Sequence, residues 1–279
     1  MNVLANKIIF FLSLLSCLLI LRTSVNSLTD PNAYYDEALS WRFQCYGQDL
    51  INLILIVPCF LISSIFVLTN YILGRYLWPG VVVYVLYTYI IYCFDVHFNK
   101  FFIEYCLILG LNFYALIYFI YTRTRVYSIK NYYNSTIIRT TSFYLVFIAL
   151  VFYVAWLLQI VPAIRNETIP SSLIDSGLLT NPIHVIDLSV ILPCFFITGI
   201  LLLRGKDLGF LLVAPLLMFI ILMDITITTL NIMTTTPSIA LTVTFVALGL
   251  FSLILLIVFI KTSTLSNSSS AHVHANSIH

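Results

Sequence analysis

The chain has 279 residues, of which 61% are hydrophobic and only 9% charged. A soluble domain carries about 25% charged residues because its surface must meet water, so this composition excludes that class and points to lipid as the solvent. The net charge of +2 is too small to imply a nucleic-acid partner; membrane lipids are the expected partners, and the polar residues described below also admit a small ligand or cation.

Eight apolar segments follow one another, at roughly 8–26, 50–72, 77–94, 101–121, 142–162, 182–203, 208–232 and 238–260. Most reach the roughly 20 residues that a helix needs to cross hydrocarbon. The predicted architecture is an all-α, polytopic transmembrane bundle over residues 1–263, with a short, polar, Ser-rich tail at 264–279 expected to be disordered. No repeat of 34 or 40 residues and no inverted repeat is evident.

The first segment has two readings. Its 14-residue apolar run, Ile8 to Leu21, lies between Lys7 and Arg22 and has the length of a signal peptide. The only cleavage candidate, Ser24-Val25-Asn26, lacks the small-residue pattern, so an uncleaved first span is expected; cleavage would leave seven spans. Further along, Pro58, Pro193 and Pro215 fall inside segments 2, 6 and 7 and predict kinks, because each removes a backbone donor.

Charge sets the expected orientation. Of the 13 Lys and Arg residues, nine fall in one alternating set of connections: Lys7, Arg75, the 122–141 loop, the turn with Arg204 and Lys206, and Lys261. By the positive-inside rule this set is cytoplasmic, with both termini. Asn166-Glu167-Thr168 is then a glycosylation sequon on the outer side. The 122–141 loop, with Tyr121, Tyr127, Tyr132 and Tyr133 among its cations, reads as an ordinary interfacial anchor, and secondarily as a binder of anionic lipid headgroups. Six cysteines form no CxxC or zinc spacing. They read as buried thiols, except Cys45, placed in an outer loop as a disulfide candidate with Cys93 or Cys106 as its nearest possible partner.

On this topology the polar residues of the spans gather in the outer half of the bundle. Asp49 opens segment 2; Asp95, His97 and Asn99 close segment 3; Glu104 opens segment 4; Gln159 lies near the end of segment 5. His184 and Asp187 follow Asn181-Pro182 into segment 6, and Asp224 lies in the last third of segment 7, before Asn231. Most have a plain explanation. Carboxylates at Asp49 and Glu104 would cap the helices they open, and Asn181-Pro182 is a cap followed by a first-turn proline. Asp187 and Asp224 resist it, since they lie about 8 Å and about 10 Å into their helices at 1.5 Å per residue. A charged Asp there costs about 2.5–3.5 kcal/mol, with no Lys or Arg at that depth. Segments 6 and 7 are joined by a short turn and should be antiparallel neighbours, placing the two carboxylates at similar depth with His184 on the same side. Such a pair shares a proton, binds a cation, or serves as protonated glue between helices.

A mixed metal site from His97, His184 and Asp187, with Asp95, Glu104 and Asp224 in reserve, is the sharper variant; a haem held by His97 and His184 is a more remote one. His272 and His274 in the tail are a further weak metal pair. No HExxH, GxSxG, phosphate-binding glycine loop or Cys–His pair is present, and the sequence requires no cofactor.

The stretches Gly47-Gln48-Asp49-Leu50, Tyr84-Val-Leu-Tyr87-Thr-Tyr89, Phe98-Asn99 and Asn181-Pro182-Ile-His184-Val-Ile-Asp187-Leu resemble an uncharacterised family of bacterial-type multi-pass membrane proteins. The resemblance covers most of the chain, implies a single whole-chain bundle and carries no activity with it. The sequence thus leads to a binding protein, a sensor or transporter with an outward-facing site for a proton, a cation or a small polar ligand. A metal-dependent enzyme embedded at the outer leaflet is the alternative, followed by a structural subunit without a site.

Overall fold

The computed structural model describes residues 3–123, 135–234 and 236–276, with side chains to 262. Among them are eight helices long and apolar enough to cross a membrane and no strand. They are α1 (Val3–Thr29), α2 (Leu39–Leu68), α3 (Ile72–Phe94), α4 (Phe102–Arg123), α5 (Ser135–Arg165), α7 (Pro182–Leu203), α8 (Asp207–Met233) and α9, whose apolar span is Ile239–Thr262. A short helix, α6 (Ser171–Ser176), lies in the connection before α7. The tail expected from residue 264 falls on the continuation of α9 to Asn276, where side chains are outside the described residues. Most of the 122–141 loop is likewise outside them.

The largest difference from the expected spans is α2. It starts at Leu39, well before the expected residue 50, because Arg42, Gln44 and Gln48 belong to a helix that is polar for its first three turns. Cys45 is therefore a buried helical residue and not a loop cysteine, and all six cysteines are free thiols. Of the three prolines expected to kink their helices, Pro58 and Pro193 follow a wide turn, while Pro215 lies inside the continuous α8. One wide π-turn, Asn52–Ile56, immediately precedes Val57-Pro58, and another, Asp187–Ile191, precedes Leu192-Pro193. Such a bulge accommodates the donor that proline lacks and bends the helix.

These two bulges belong to a duplication that the sequence reading missed. At a constant offset of 135 residues, the separation of Pro58 and Pro193, Val57-Pro58-Cys59-Phe60 falls on Leu192-Pro193-Cys194-Phe195. The helices end at Leu68 and Leu203, and each is followed by a left-handed residue, Asn70 (φ 61°) and Gly205 (φ 62°). The turns close with matching bonds, Tyr71 N–H to Phe66 C=O at 2.8 Å and Lys206 N–H to Leu201 C=O at 2.9 Å. One turn later Gly74 and Gly209 each lie against the preceding helix so closely that an added Cβ would stand 2.5 Å from the backbone nitrogen of Val67 or Leu202.

The packing repeats as well. In the first half α1 packs on α2, α2 on α3 and α3 on α4; in the second, α5 packs on α7, α7 on α8 and α8 on α9. Four spans per half is an even number, so the halves run in the same direction, as in parallel-repeat transporters. They meet along α3 and α8, and reciprocally through the N-terminal part of α2 on α8 and the first turn of α7 on α3. Such reciprocity is the mark of a two-fold interface. Near its centre two equivalent residues touch: a Cβ on Gly80 would lie 2.4 Å from the carbonyl oxygen of Pro215.

The α3–α8 crossing thus depends on the absence of a side chain at position 80. Gly80→Leu should destabilise the protein by about 1–3 kcal/mol or more, as overpacking does, read as a lower melting temperature in detergent. Gly110→Leu, where nothing lies within 4 Å of the added carbon, should leave it unchanged. Equal effects at the two positions would refute the close crossing.

Candidate functional site

The expected polar residues separate into three places. The first is a sealed cage around Asp49. Because α2 starts ten residues earlier, Asp49 caps nothing: it is interior to the helix and 2% exposed. Ser24 (2.8 Å) and Tyr92 (3.1 Å) donate to Oδ1, while Ser27 and Tyr34 (2.6 Å) donate to Oδ2. Four donors from α1, the following loop and α3 replace the water that the carboxylate left, as burial of such a group requires. The network runs on. The Asn52 amide donates to the Ser24 hydroxyl (3.2 Å) and Gln48 donates to Asn52 and to Tyr84 (both 3.0 Å). The Tyr84 hydroxyl then bonds Thr226 of α8 at 2.7 Å. Ser27, Tyr34 and Tyr92 drew no attention in the sequence, and Ser24 only as part of a cleavage candidate, because single hydroxyls carry no spacing signal.

The second place is the surface formed by the 30–38 and 95–101 connections. His97 is not near His184. Its Nδ1 lies 2.9 Å from Glu37 Oε2, and its backbone N–H donates to Oε1 at 2.6 Å. Glu37, 4% exposed, is a residue the sequence reading did not single out. Asp95 is buried beside this pair with Oδ2 unbonded. Burial, then the Glu37 carboxylate, push its carboxyl up to about 7 against the opposing pull of His97. Lys100 bonds Asp30 at 2.6 Å and holds that carboxyl below its usual range. Glu104 pairs with Arg22 at 3.4 Å. Among the described residues no group of three His, Cys, Asp or Glu side chains is placed to hold a metal ion, which corrects the His97, His184 and Asp187 set. Those two histidines, on separate elements with separate partners, do not face each other across a haem either.

The third place is a cavity of about 430 Å³, lined mostly by the second half and closed by α2 and α3 of the first, within the usual range for ligand sites. Asp187 and Asp224 both line it. Asp187 stands at the start of the π-turn of α7, where Trp156 Nε1 donates to its Oδ2 at 2.9 Å and the Tyr87 hydroxyl of α3 lies nearby. Asp224 differs. It is 5% exposed, its Oδ2 has no partner among the described residues, and the carboxylate packs beside Gly249 of α9, where a Cβ would stand 3.3 Å from Asp224 Cβ. No Lys or Arg lines the cavity.

His184 is not in this cavity. Three residues are about 60° short of a full turn at 3.6 residues per turn, and Trp156 fills that angle, its ring 4.4 Å from the imidazole. His184 instead lines a separate cleft with Asn181 and Leu188. Asn181 itself caps α7 as expected, accepting from the N–H groups of Ile183 and His184.

The duplication sets the cavity apart from the rest of the bundle. At the 135-residue offset, Asn52 corresponds to Asp187, Asp49 to His184 and Tyr89 to Asp224. The first half fills the corresponding space with the Asp49 cage and the stacked rings of Tyr89 and Tyr92, 5.4 Å apart. The second half replaces a tyrosine by a carboxylate and leaves a void.

For Asp95 the sign of the pH effect follows from its raised value. The protonated form is favoured in the folded state, so its contribution to stability is complete at pH 4 and is lost as pH rises through about 7. Asp95→Asn should match the parent protein at pH 4 and melt at a higher temperature at pH 8. Parallel melting curves across that window would contradict the assignment. No protein-family model, curated protein or solved structure matches the chain, so the candidate site stands on its own geometry.

Proposed function

We propose that this multi-pass helical membrane protein binds a small ligand in the cavity between α3, α5, α7, α8 and α9, as a sensor or transporter. Asp187 and Asp224 are its charged groups. The observation that carries this reading is the Asp224 carboxylate, buried beside a void with no donor and no cation near it. An ionised Asp inside a span costs about 2.5–3.5 kcal/mol, and the first half of the chain solves that problem with four hydroxyls around Asp49. The second half leaves Asp224 without donors, so a proton or an incoming cation has to complete it. Polar residues of an intramembrane cavity mark ligand and ion paths for this reason.

The lining reaches Gln44 near the start of α2 and Asn231 and Thr234 at the end of α8, the ends that charge counting makes extracellular. The cavity is therefore outward-facing and both termini are cytoplasmic in this reading. This reading keeps the first helix as a span, supported by its Ser24 and Ser27, which supply two of the four donors to Asp49. Cysteines placed at Ser172 and Ser135 test the orientation. A membrane-impermeant thiol reagent should label the first and not the second in intact cells; the reverse pattern would invert the topology.

Cation or proton binding at the carboxylates predicts a stability that responds to solution conditions. Melting temperatures of purified protein measured from pH 4 to 8, with and without a panel of inorganic and organic cations, should show a stabilisation by protons or by one of those cations. Asp224→Asn should abolish that response while retaining the folded bundle. The same response in the variant as in the parent protein would remove the cavity from consideration.

A further inference from the structure

Resting on that reading, we infer that the ligand is an organic monocation with an apolar body, an ammonium on a hydrophobic frame, and not a metal ion. The cavity has a graded wall. Its outer end carries Gln44, Gln48, Asn231 and Thr234, the carboxylates lie in the middle, and its inner end is formed by Ile148, Leu192, Phe195, Phe219 and Ile220. A ligand that fills it presents positive charge at mid-depth and apolar surface below.

Inorganic ions fit poorly. A hard divalent cation takes six or more oxygens, and at mid-depth the cavity offers two carboxylates, one of them already bonded by Trp156, with only the hydroxyls of Tyr87, Thr88 and Thr226 beside them and its amides nearer the mouth. The apolar floor gives nothing in exchange for a hydration shell. A cation that carries its charge on methylated or aliphatic nitrogen has little hydration to lose and gains twice, from Asp224 and from aromatic faces. Tyr87, Phe152, Trp156 and Phe245 surround the middle and outer part of the cavity, with Phe195 and Phe219 beneath. Aromatic walls with a carboxylate are the chemistry by which proteins hold quaternary ammonium groups. The hydroxyl and amide groups at the mouth admit the charged end past the interface. Asp187 is held by Trp156 and contributes long-range attraction; Asp224, without a donor, makes the direct contact.

The test uses the full-length protein in detergent or nanodiscs, with Trp156 as an internal reporter. Benzyltrimethylammonium is the probe, its uncharged carbon isostere the first control, and sodium, potassium and calcium ions the second. Saturable quenching or thermal stabilisation by the ammonium is expected, at least ten-fold stronger than by the isostere. Asp224→Asn should weaken it ten-fold or more. Gly249→Val, which keeps the charge but adds a side chain where even a Cβ would stand 3.3 Å from Asp224, should weaken it as well. A response to inorganic ions or protons alone, abolished by Asp224→Asn, would overturn the organic-cation class and leave the binding cavity standing. A response to the isostere equal to that of the ammonium would also overturn it. No response to any of these probes in a folded protein would remove both readings.

Discussion

A polar group carried into an apolar bundle has to find its partner inside that bundle, and the fold of this chain is arranged around that constraint. Lipid offers no hydrogen bonds, so helices satisfy the backbone and side chains must be satisfied by one another. The Asp49 cage is the fullest expression of it. Hydroxyls from α1 and α3 and the tyrosine of the intervening loop converge on a carboxylate of α2, so the first helix, the loop and the third helix are fixed relative to the second by directional bonds. From there the chain of amides and hydroxyls through Asn52, Gln48 and Tyr84 reaches Thr226 and ties the first half to the second. Gln48 and Thr226 also line the cavity, so the rigid polar network of one half forms part of the wall of the open compartment in the other.

The two halves show what one backbone can be made to hold. Proline, π-turn, left-handed residue and tightly packed glycine recur at the same offset, while the side chains facing the interior have diverged. Where the first half stacks Tyr89 and Tyr92, the second sets Asp224 beside Gly249 and leaves space. Packing in protein interiors is close to that of organic crystals, and a void of this size flanked by a carboxylate departs from that density.

Much of the fold was legible in the sequence, because apolar length is a strong signal. The span expected at 182–203 is Pro182–Leu203, and those at 208–232 and 238–260 differ by a residue or two at their ends. Hydropathy failed where a helix starts polar. Arg42, Gln44 and Gln48 hid the first turns of α2, and that boundary error turned Asp49 from a buried, bonded carboxylate into an apparent cap. Asp187 and Asp224 stood out on energetic grounds, since a charge at depth needs explanation whatever surrounds it. Their surroundings did not stand out. Trp156, Tyr87 and Gly249 come from other spans, and only the tertiary arrangement brings them to the carboxylates. The His184 assignment failed for a local reason: spacing of three residues gives a neighbouring direction, and an indole inserted between His184 and the cavity decides which side the imidazole faces. The duplication escaped notice because it is carried by backbone events more than by identical residues.

An even number of spans per half has a consequence for ancestry. A four-span unit returns its chain to the side from which it started, so two separate copies would insert in the same sense and could associate face to face without any inversion of topology. The contact of Gly80 with Pro215, two equivalent positions, is where such a pair would have touched itself. Joining the copies in one polypeptide releases them from symmetry: a change in one is no longer imposed on the other. The filled compartment and the hollow one are what that freedom produces, one copy closed by its own side chains and the other left open.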